Sequence, residues 1–316
     1  MDYTEGLVLL CATVLPVLLV ALAGAASPLE SARAEIALTL DGAHDSIGVP
    51  TGTAGATSID GAVAATLYLR PVTDEARPIA LQPFLQRAGS LHFAATVGDL
   101  GASPLGGLRT GASLGGDLFV HRAVSIAFEG GYRFLDGVAP GASSSYVPLS
   151  LGLGLWWGDV RLGLGADGVW SSRDGFGGDS VRGRLDLRAV FVEHIELSTG
   201  AAANAHSIDA YLRAAYYPSK HLGLLGGGWG GGTSGATRFP DVTDTEAQLG
   251  HAPFDLRAIE ARPAADQAHF GCFVGFSYWA TPRLGAIVHY DVTWISADGV
   301  GATDQRAVLT IAARGL

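Results

Sequence analysis

The chain has 316 residues, a formal net charge of -10, 45 glycines, 48% hydrophobic residues and a mean hydropathy of +0.29. Hydropathy that high argues against an ordinary soluble domain, and the acidic balance argues against a nucleic-acid partner. Of the two cysteines, Cys11 sits in the first apolar run, so Cys272 is alone in the rest of the chain and excludes an internal disulfide or a cysteine-based metal cluster.

That apolar run spans Gly6 to Ala26, with small residues at Ala23, Gly24, Ala25 and Ala26 and a second small-x-small site at Ala32-Arg33-Ala34. It has the form of a secretory signal peptide, which assigns residues 1–34 to a leader cleaved near Ala26 or Ala34 and residues 35–316 to the mature domain. Asp2 and Glu5 stand where basic residues are usual, and the run is long enough for the alternative, a retained anchor helix.

From Glu35, Ile36, Leu38 and Leu40 alternate with Ala37, Thr39 and Asp41, and a polar Gly/Thr/Ser stretch follows to Asp60. Val63, Ala65, Leu67 and Leu69 then mark one face of a second strand. The connector from Pro71 to Gly89 fits either a short helix or an early strand start. Strands follow at about 90–97, 108–120, 123–134, 146–157, 159–170, 181–192, 194–204, 207–217, 221–230, 268–279, 283–295 and 305–314, making about fourteen in all. The clearest pair is Tyr146–Trp170, where Val147, Leu149, Leu151, Leu153 and Leu155 oppose Pro148, Ser150, Gly152 and Gly154. A turn at Gly158-Asp159 then restarts the rhythm with Val160, Leu162 and Leu164.

Very short turns at His121-Arg122, Gly158, Glu193, Ser219-Lys220 and Pro282 alternate with longer polar loops near 98–107, 135–145, 171–180, 231–267 and 296–304. The link at Ala205-His206 is short where a long loop is expected. With an apolar strand face and no other long apolar segment, this layout predicts an all-β, transmembrane, antiparallel up-and-down barrel of about 14 strands, with 12 or 16 as the neighbouring possibilities. Aromatics collect near strand ends as two girdles: Phe134, Trp170 and Trp294, with Tyr132, Trp229 and Phe270, toward the long loops, and Trp157, Phe191, Tyr216 and Tyr278, with Phe119, Tyr217 and Trp279, toward the short turns. The segment 231–267 carries Phe239, Leu249, Phe254, Leu256 and Ile259, and is expected to fold partly against the barrel mouth or into the lumen, with a short helix around 253–261.

The connector's pattern, an aromatic strand end, then P-V-T-D, then P-I-A-L-Q-P-F-L-Q-R-A, resembles one found in bacterial outer-membrane porins, over about twenty-five residues. The resemblance implies an outer-membrane channel for passive diffusion of small hydrophilic solutes, with outer-membrane lipid, lipopolysaccharide and the barrel insertion machinery as partners and no cofactor. The alternative is a non-channel structural or adhesion barrel. One departure is the C-terminus, Ala313-Arg314-Gly315-Leu316, where such barrels usually end in an aromatic residue.

Two enzyme motifs occur by pattern alone, Gly111–Gly115 as G-x-S-x-G and Gly163–Gly168 as G-x-G-x-x-G, but both lie inside alternating strands with no helix to follow, so no catalytic site is expected. Asp174 and Asp179 fit a solvated loop better than a calcium site. On the inward parity fall Arg109, Glu129, Arg133, Arg161, Asp167, Arg182, Arg184, Asp186, Arg188, Glu196, Arg213 and Asp291, predicted to line the pore, with Asp117, Asp209, Arg306 and Arg314 alongside. Arg182, Arg184 and Arg188 share one strand face and are expected to line the water path and bias it toward anions, with neutralisation by Asp186, Glu196 and Asp167 as the competing reading. Lys220, the single lysine, is read as a mark of compositional bias.

Overall fold

A computed structural model of the chain describes residues 31–49, 52–99, 108–136, 144–171, 181–233, 267–297 and 300–315. The leader, the segment 234–266 with its expected helix, and Asp174 and Asp179 lie outside these. Among the described residues are fourteen strands: β1 (Ser31–Val49), β2 (Gly52–Thr73), β3 (Ser90–Asp99), β4 (Leu108–His121), β5 (Val124–Asp136), β6 (Ser144–Trp157), β7 (Val160–Ser171), β8 (Val181–Phe191), β9 (Ile195–Ala203), β10 (Ser207–Tyr216), β11 (Leu222–Thr233), β12 (Gln267–Thr281), β13 (Leu284–Ala297) and β14 (Val300–Gly315). Each pairs antiparallel with its sequence neighbours, and β1 pairs with β14 from Ala34↔Gly315 to Ile47↔Ala302, which closes the barrel. None of the described helices is long and apolar enough to cross a membrane.

Alternation sets the two faces. On β6 and β7, Leu149, Leu151, Leu153 and Leu164 are exposed on the outside, whereas Pro148, Trp156 and Asp167 are buried inside. The same rule puts Leu67, Phe93, Leu114, Leu185, Leu212, Leu224, Val274 and Phe276 outside, giving an apolar belt of the kind lipid requires. Pro148 has no N–H for a ladder bond, and the β5–β6 pairing skips from Gly130↔Leu149 to Arg133↔Tyr146 at that point.

The polar stretch to Asp60 is not a loop. It forms the distal half of a β1–β2 hairpin, paired from Leu40↔Gly61 through Val49↔Gly52, so the two strands run to 19 and 22 residues. Backbone pairing holds this extension where apolar alternation has already stopped, because ladder bonds form whatever the side chain. The short link at Asn204–His206 is a compact turn in which the Asn204 side-chain oxygen accepts from the backbone N–H groups of His206 and Ser207, at 2.9 and 2.8 Å.

The β2–β3 connection is the other departure. It contains a 3-10 turn (Ile79–Leu81) and a one-turn helix, α1 (Gln82–Leu85), and it folds into the barrel from the short-turn end. Ile79 and Leu81 are 0% and 1% exposed. Ile79 packs with Ala37, Ala64, Ala94, Trp279 and Ala312, and Leu81 with Val190, Ala215, Tyr217, Leu225 and Phe273. These partners sit on strands around both sides of the barrel, so the connection reaches across its interior.

Candidate functional site

The interior above this connection is a cavity of about 440 Å³. Ala80, Pro83, Phe84, Arg87 and Ala88 form its floor, and its walls carry His92, Asp117, Glu129, Arg161, Arg184, Asp186, Arg188, Glu196, Tyr211 and Arg213.

Register brings the predicted arginines and carboxylates together on β7 to β10. Arg161 lies opposite Arg188 across the β7–β8 ladder, and Asp167 opposite Arg182. Arg161 Nη1 donates to Asp186 Oδ2 at 2.6 Å, and Arg184 Nη1 to Asp167 Oδ1 at 3.0 Å, an oxygen that also accepts from Ser150 Oγ at 2.9 Å. Arg182 Nη1 donates to Asp209 Oδ2 at 2.8 Å, with Nε 3.6 Å from Asp167 Oδ2. Arg188 Nε donates to Glu196 Oε1 at 2.8 Å, and Arg213 lies 3.9 Å from Glu196 Oε2. The ladder of three guanidinium groups is therefore interleaved with carboxylates, the arrangement of the competing reading and not the one expected to favour anions. Gly163 is part of the design, since a methyl group there would overlap the Asp186 carboxylate that lies across it.

Tyr217, one residue beyond β10, donates its hydroxyl to Glu196 Oε2 at 3.0 Å. Burial, and after it the Glu196 charge, pushes the phenol above its ordinary pKa, which keeps it a donor.

Glu129 lines the cavity from β5, and Asp291 is buried on β13 beside His289, whose Nε2 lies 3.5 Å from its Oδ2. Asp291 and Arg306, opposite each other across β13–β14, fall outside the cavity lining, and Arg306 is held by Asp304 at 2.7 Å. Arg109 and Arg133 occupy positions of interior parity on β4 and β5, but their side chains lie outside the described residues.

Of the aromatic residues, Trp157, Phe191, Tyr216 and Tyr278 are exposed on the outer face at the short-turn ends. Trp294 stacks on Phe270 outside at 4.8 Å near the long-loop ends of β13 and β12, and Phe134 and Trp170 stand near the same ends of β5 and β7. Four aromatics assigned to the girdles face inward instead. Phe119 packs on Trp156, Trp229 stacks on Phe273, Tyr217 bonds Glu196, and Trp279 lies under the Arg314 guanidinium. Nearness to a strand end does not determine which face a residue takes; parity does.

Sequence reasoning missed the floor and its fastenings. Arg77 pairs with Asp159 at 3.4 Å and Glu193 at 3.6 Å, and Lys220 with Asp74 at 2.6 Å. Arg87 donates to the carbonyls of Arg122 and Gly158, and its guanidinium sits 5.4 Å over Trp156. Ile79 N donates to the Lys220 carbonyl at 3.0 Å, and the Ile79 carbonyl accepts from Arg314 Nη1 at 2.9 Å. The connection thus touches four of the short turns and the last strand. The signal was available in a connector of this length on the side where every other connection is tight. Lys220, set aside as compositional bias, is one of the fastenings.

Gly111–Gly115 and Gly163–Gly168 both run straight within β4 and β7, and neither opens a helix. Among the described residues no group of acidic, histidine or cysteine side chains has metal-binding geometry.

Strand count, antiparallel closure and the outer apolar belt define the class, a porin-like transmembrane β-barrel of the outer-membrane type. No protein-family model matches the chain, and no curated protein matches it in sequence. Solved structures share its fold. A FadL homologue of Pseudomonas aeruginosa superposes with a TM-score of 0.52 at 10% identity, over 90% of this chain and 91% of that one. The Pseudomonas putida toluene transporter TodX superposes with a TM-score of 0.51 at 9% identity, over 89% of each chain. The outer membrane protein Omp33 of Acinetobacter baumannii gives 0.48 at 12% identity, over 88% of this chain and 98% of that one.

Proposed function

We propose that this protein is an outer-membrane channel through which small hydrophilic solutes diffuse. The observation that carries the reading is the cavity wall, where ion pairs alternate with glycine and serine. Asp117, Glu129, Arg161, Arg184 and Asp186 line that wall, which suits water-filled space and not a packed apolar core. Such a wall favours polar cargo over the hydrocarbon that the name of TodX specifies for that protein. Because each arginine of the ladder meets a carboxylate, selectivity between anions and cations is weak.

The partners in this reading are outer-membrane lipid and lipopolysaccharide against the apolar belt, with the insertion machinery acting during assembly. A leader cleaved near Ala26 leaves β1 whole, whereas cleavage at Ala34 removes Ala32, which pairs with Val72.

Purified protein in a planar bilayer should give discrete conductance steps and a reversal potential near zero under a salt gradient. The floor built by the β2–β3 connection favours a second reading, a structural or adhesion barrel closed by its own side chains. Silence in the bilayer, from both the wild type and a variant lacking the floor, selects that reading.

A further inference from the structure

The β2–β3 connection carries hydrogen bonds of its own besides those that fasten it to the barrel. Gln82, 2% exposed, turns its amide back onto its own segment, donating to Asp74 Oδ1, the Glu75 carbonyl and the Arg77 carbonyl at 3.3 to 3.4 Å. Backbone bonds Leu81 N to Pro78 O, Gln86 N to Gln82 O and Ala88 N to Pro83 O close its turns. Its base is zipped by a reciprocal pair, Thr73 N to Gln86 Oε1 at 2.8 Å and Gln86 Nε2 to Thr73 O at 2.7 Å, and by Arg70 N to Ala88 O. The bonds of Gln82 and of the Leu81, Gln86 and Ala88 N–H groups lie within the segment, and those to Thr73 and Arg70 join it to the end of β2.

The links to the wall are of another kind. Arg77 with Asp159 and Glu193, and Lys220 with Asp74, are ion pairs between partly exposed side chains on the rim, where water competes and each contributes little. Buried contact comes from Ile79 and Leu81 and from Arg314 Nη1, which donates to the Ile79 carbonyl, while Ile79 N and the Arg87 guanidinium bond carbonyls of the short turns. The segment ends on Arg87 at φ 48 and Gly89 at φ 62, two left-handed positions around Ala88 where the chain turns into β3. Its inner face meets the cavity directly, with the Phe84 ring 4.1 Å beneath the Arg188 guanidinium and 4.8 Å from Trp156.

We propose that Asp74–Gly89 is a gate, a self-folded segment that closes the lumen at the short-turn end and leaves it as one body, turning on its two ends, to open the solute path. The proposal rests on the channel reading and adds the moving part. Opening breaks the rim ion pairs, the bonds of Arg87 and Ile79 N to the short-turn carbonyls, the buried Arg314 bond to the Ile79 carbonyl and the apolar contacts, while the bonds within the segment travel with it.

The test is a reversible lock. Asp74→Cys and Lys220→Cys are combined in a chain freed of Cys11 and Cys272, and the two thiols are bridged by a short bis-methanethiosulfonate. Unbridged, this variant has lost a rim pair and should open more often than wild type. Bridged, it should fall silent in single-channel recordings, and a reductant should restore it. Arg77→Gln with Lys220→Met should raise the open-state population on the order of threefold to tenfold, the effect of losing weak surface pairs. A third variant replaces Leu69–Gly89 by Asn-Gly, a two-residue turn suited to the facing pair Tyr68↔Ser90, and should conduct permanently. Each variant is first shown to be a closed barrel by its heat-dependent gel shift.

If the floor-less variant conducts but the lock and the tether variant change nothing, the gate is wrong and the channel stands. If the floor-less variant is silent too, the channel reading fails and takes the gate with it.

Discussion

Arg188 and Glu196 face each other from neighbouring strands, and they are not equally committed. Glu196 is 1% exposed and is met by Arg188, Arg213 and Tyr217, whereas Arg188 gives only Nε to the pair and leaves its terminal nitrogens toward the cavity, above Phe84. Arg188→Gln should therefore shift the reversal potential toward cations, by a few-fold in permeability ratio, because a charge on a confined wall acts at short range and is poorly screened. Glu196→Gln should shift it the other way. A wild type already strongly anion-selective would show that the carboxylates do not neutralise the ladder. Gly163→Ala tests the same balance without touching a charge: the added methyl drives Asp186 off Arg161 and should move selectivity toward anions while the barrel still assembles. Which carboxylate each arginine meets was not legible in the sequence. Parity placed Arg182, Arg184 and Arg188 on the inner face, but partners such as Asp209 for Arg182 depend on strand register, set by the ladder as a whole.

Hairpins were the legible elements. β6 and β7 follow from leucines on one parity, and the tight turn between them from Gly158 at φ +58. The distal part of β1–β2 was not legible, because small polar residues there carry no alternation and only pairing keeps them extended. β11 is similar: Leu222 and Leu224 announce the outer face, but the glycine run from Gly226 removes the rhythm, and Trp229 then turns inside unannounced. The floor was half legible. Its length on the short-turn side was anomalous, yet Ile79, Leu81 and Phe84 are too few to show an amphipathic period. Leu81 is its best-buried anchor alongside Ile79, and Leu81→Ala should weaken docking by about 2–5 kcal/mol. The expected readout is more frequent opening in single-channel recordings with an unchanged heat-dependent gel shift. A lost gel shift would mean instead that Leu81 supports the barrel itself.

At the scale of the whole molecule, closure leaves no open sheet edge within the ring of fourteen strands. That predicts sheet-dominated circular dichroism and slower or faster migration of unboiled than of boiled protein on a detergent gel; equal migration with a helical spectrum would refute the fold. Closure also brings β14, β1, β2, β12 and the β2–β3 connection together at one residue, Arg314, and its neighbours. Arg314 on β14 donates to Glu35 on β1 at 2.6 Å and to the Ile79 carbonyl, and stacks on Trp279, while Tyr68 on β2 donates to the same Glu35 oxygen at 2.9 Å. The consequence is an order of assembly. The β2–β3 segment is among the first parts of the domain to be made, but the residue that clasps its Ile79 carbonyl is among the last. The floor therefore lacks its Arg314 clasp until the final strand is threaded beside the first, and sealing the ring completes the fastening of the floor in the same event.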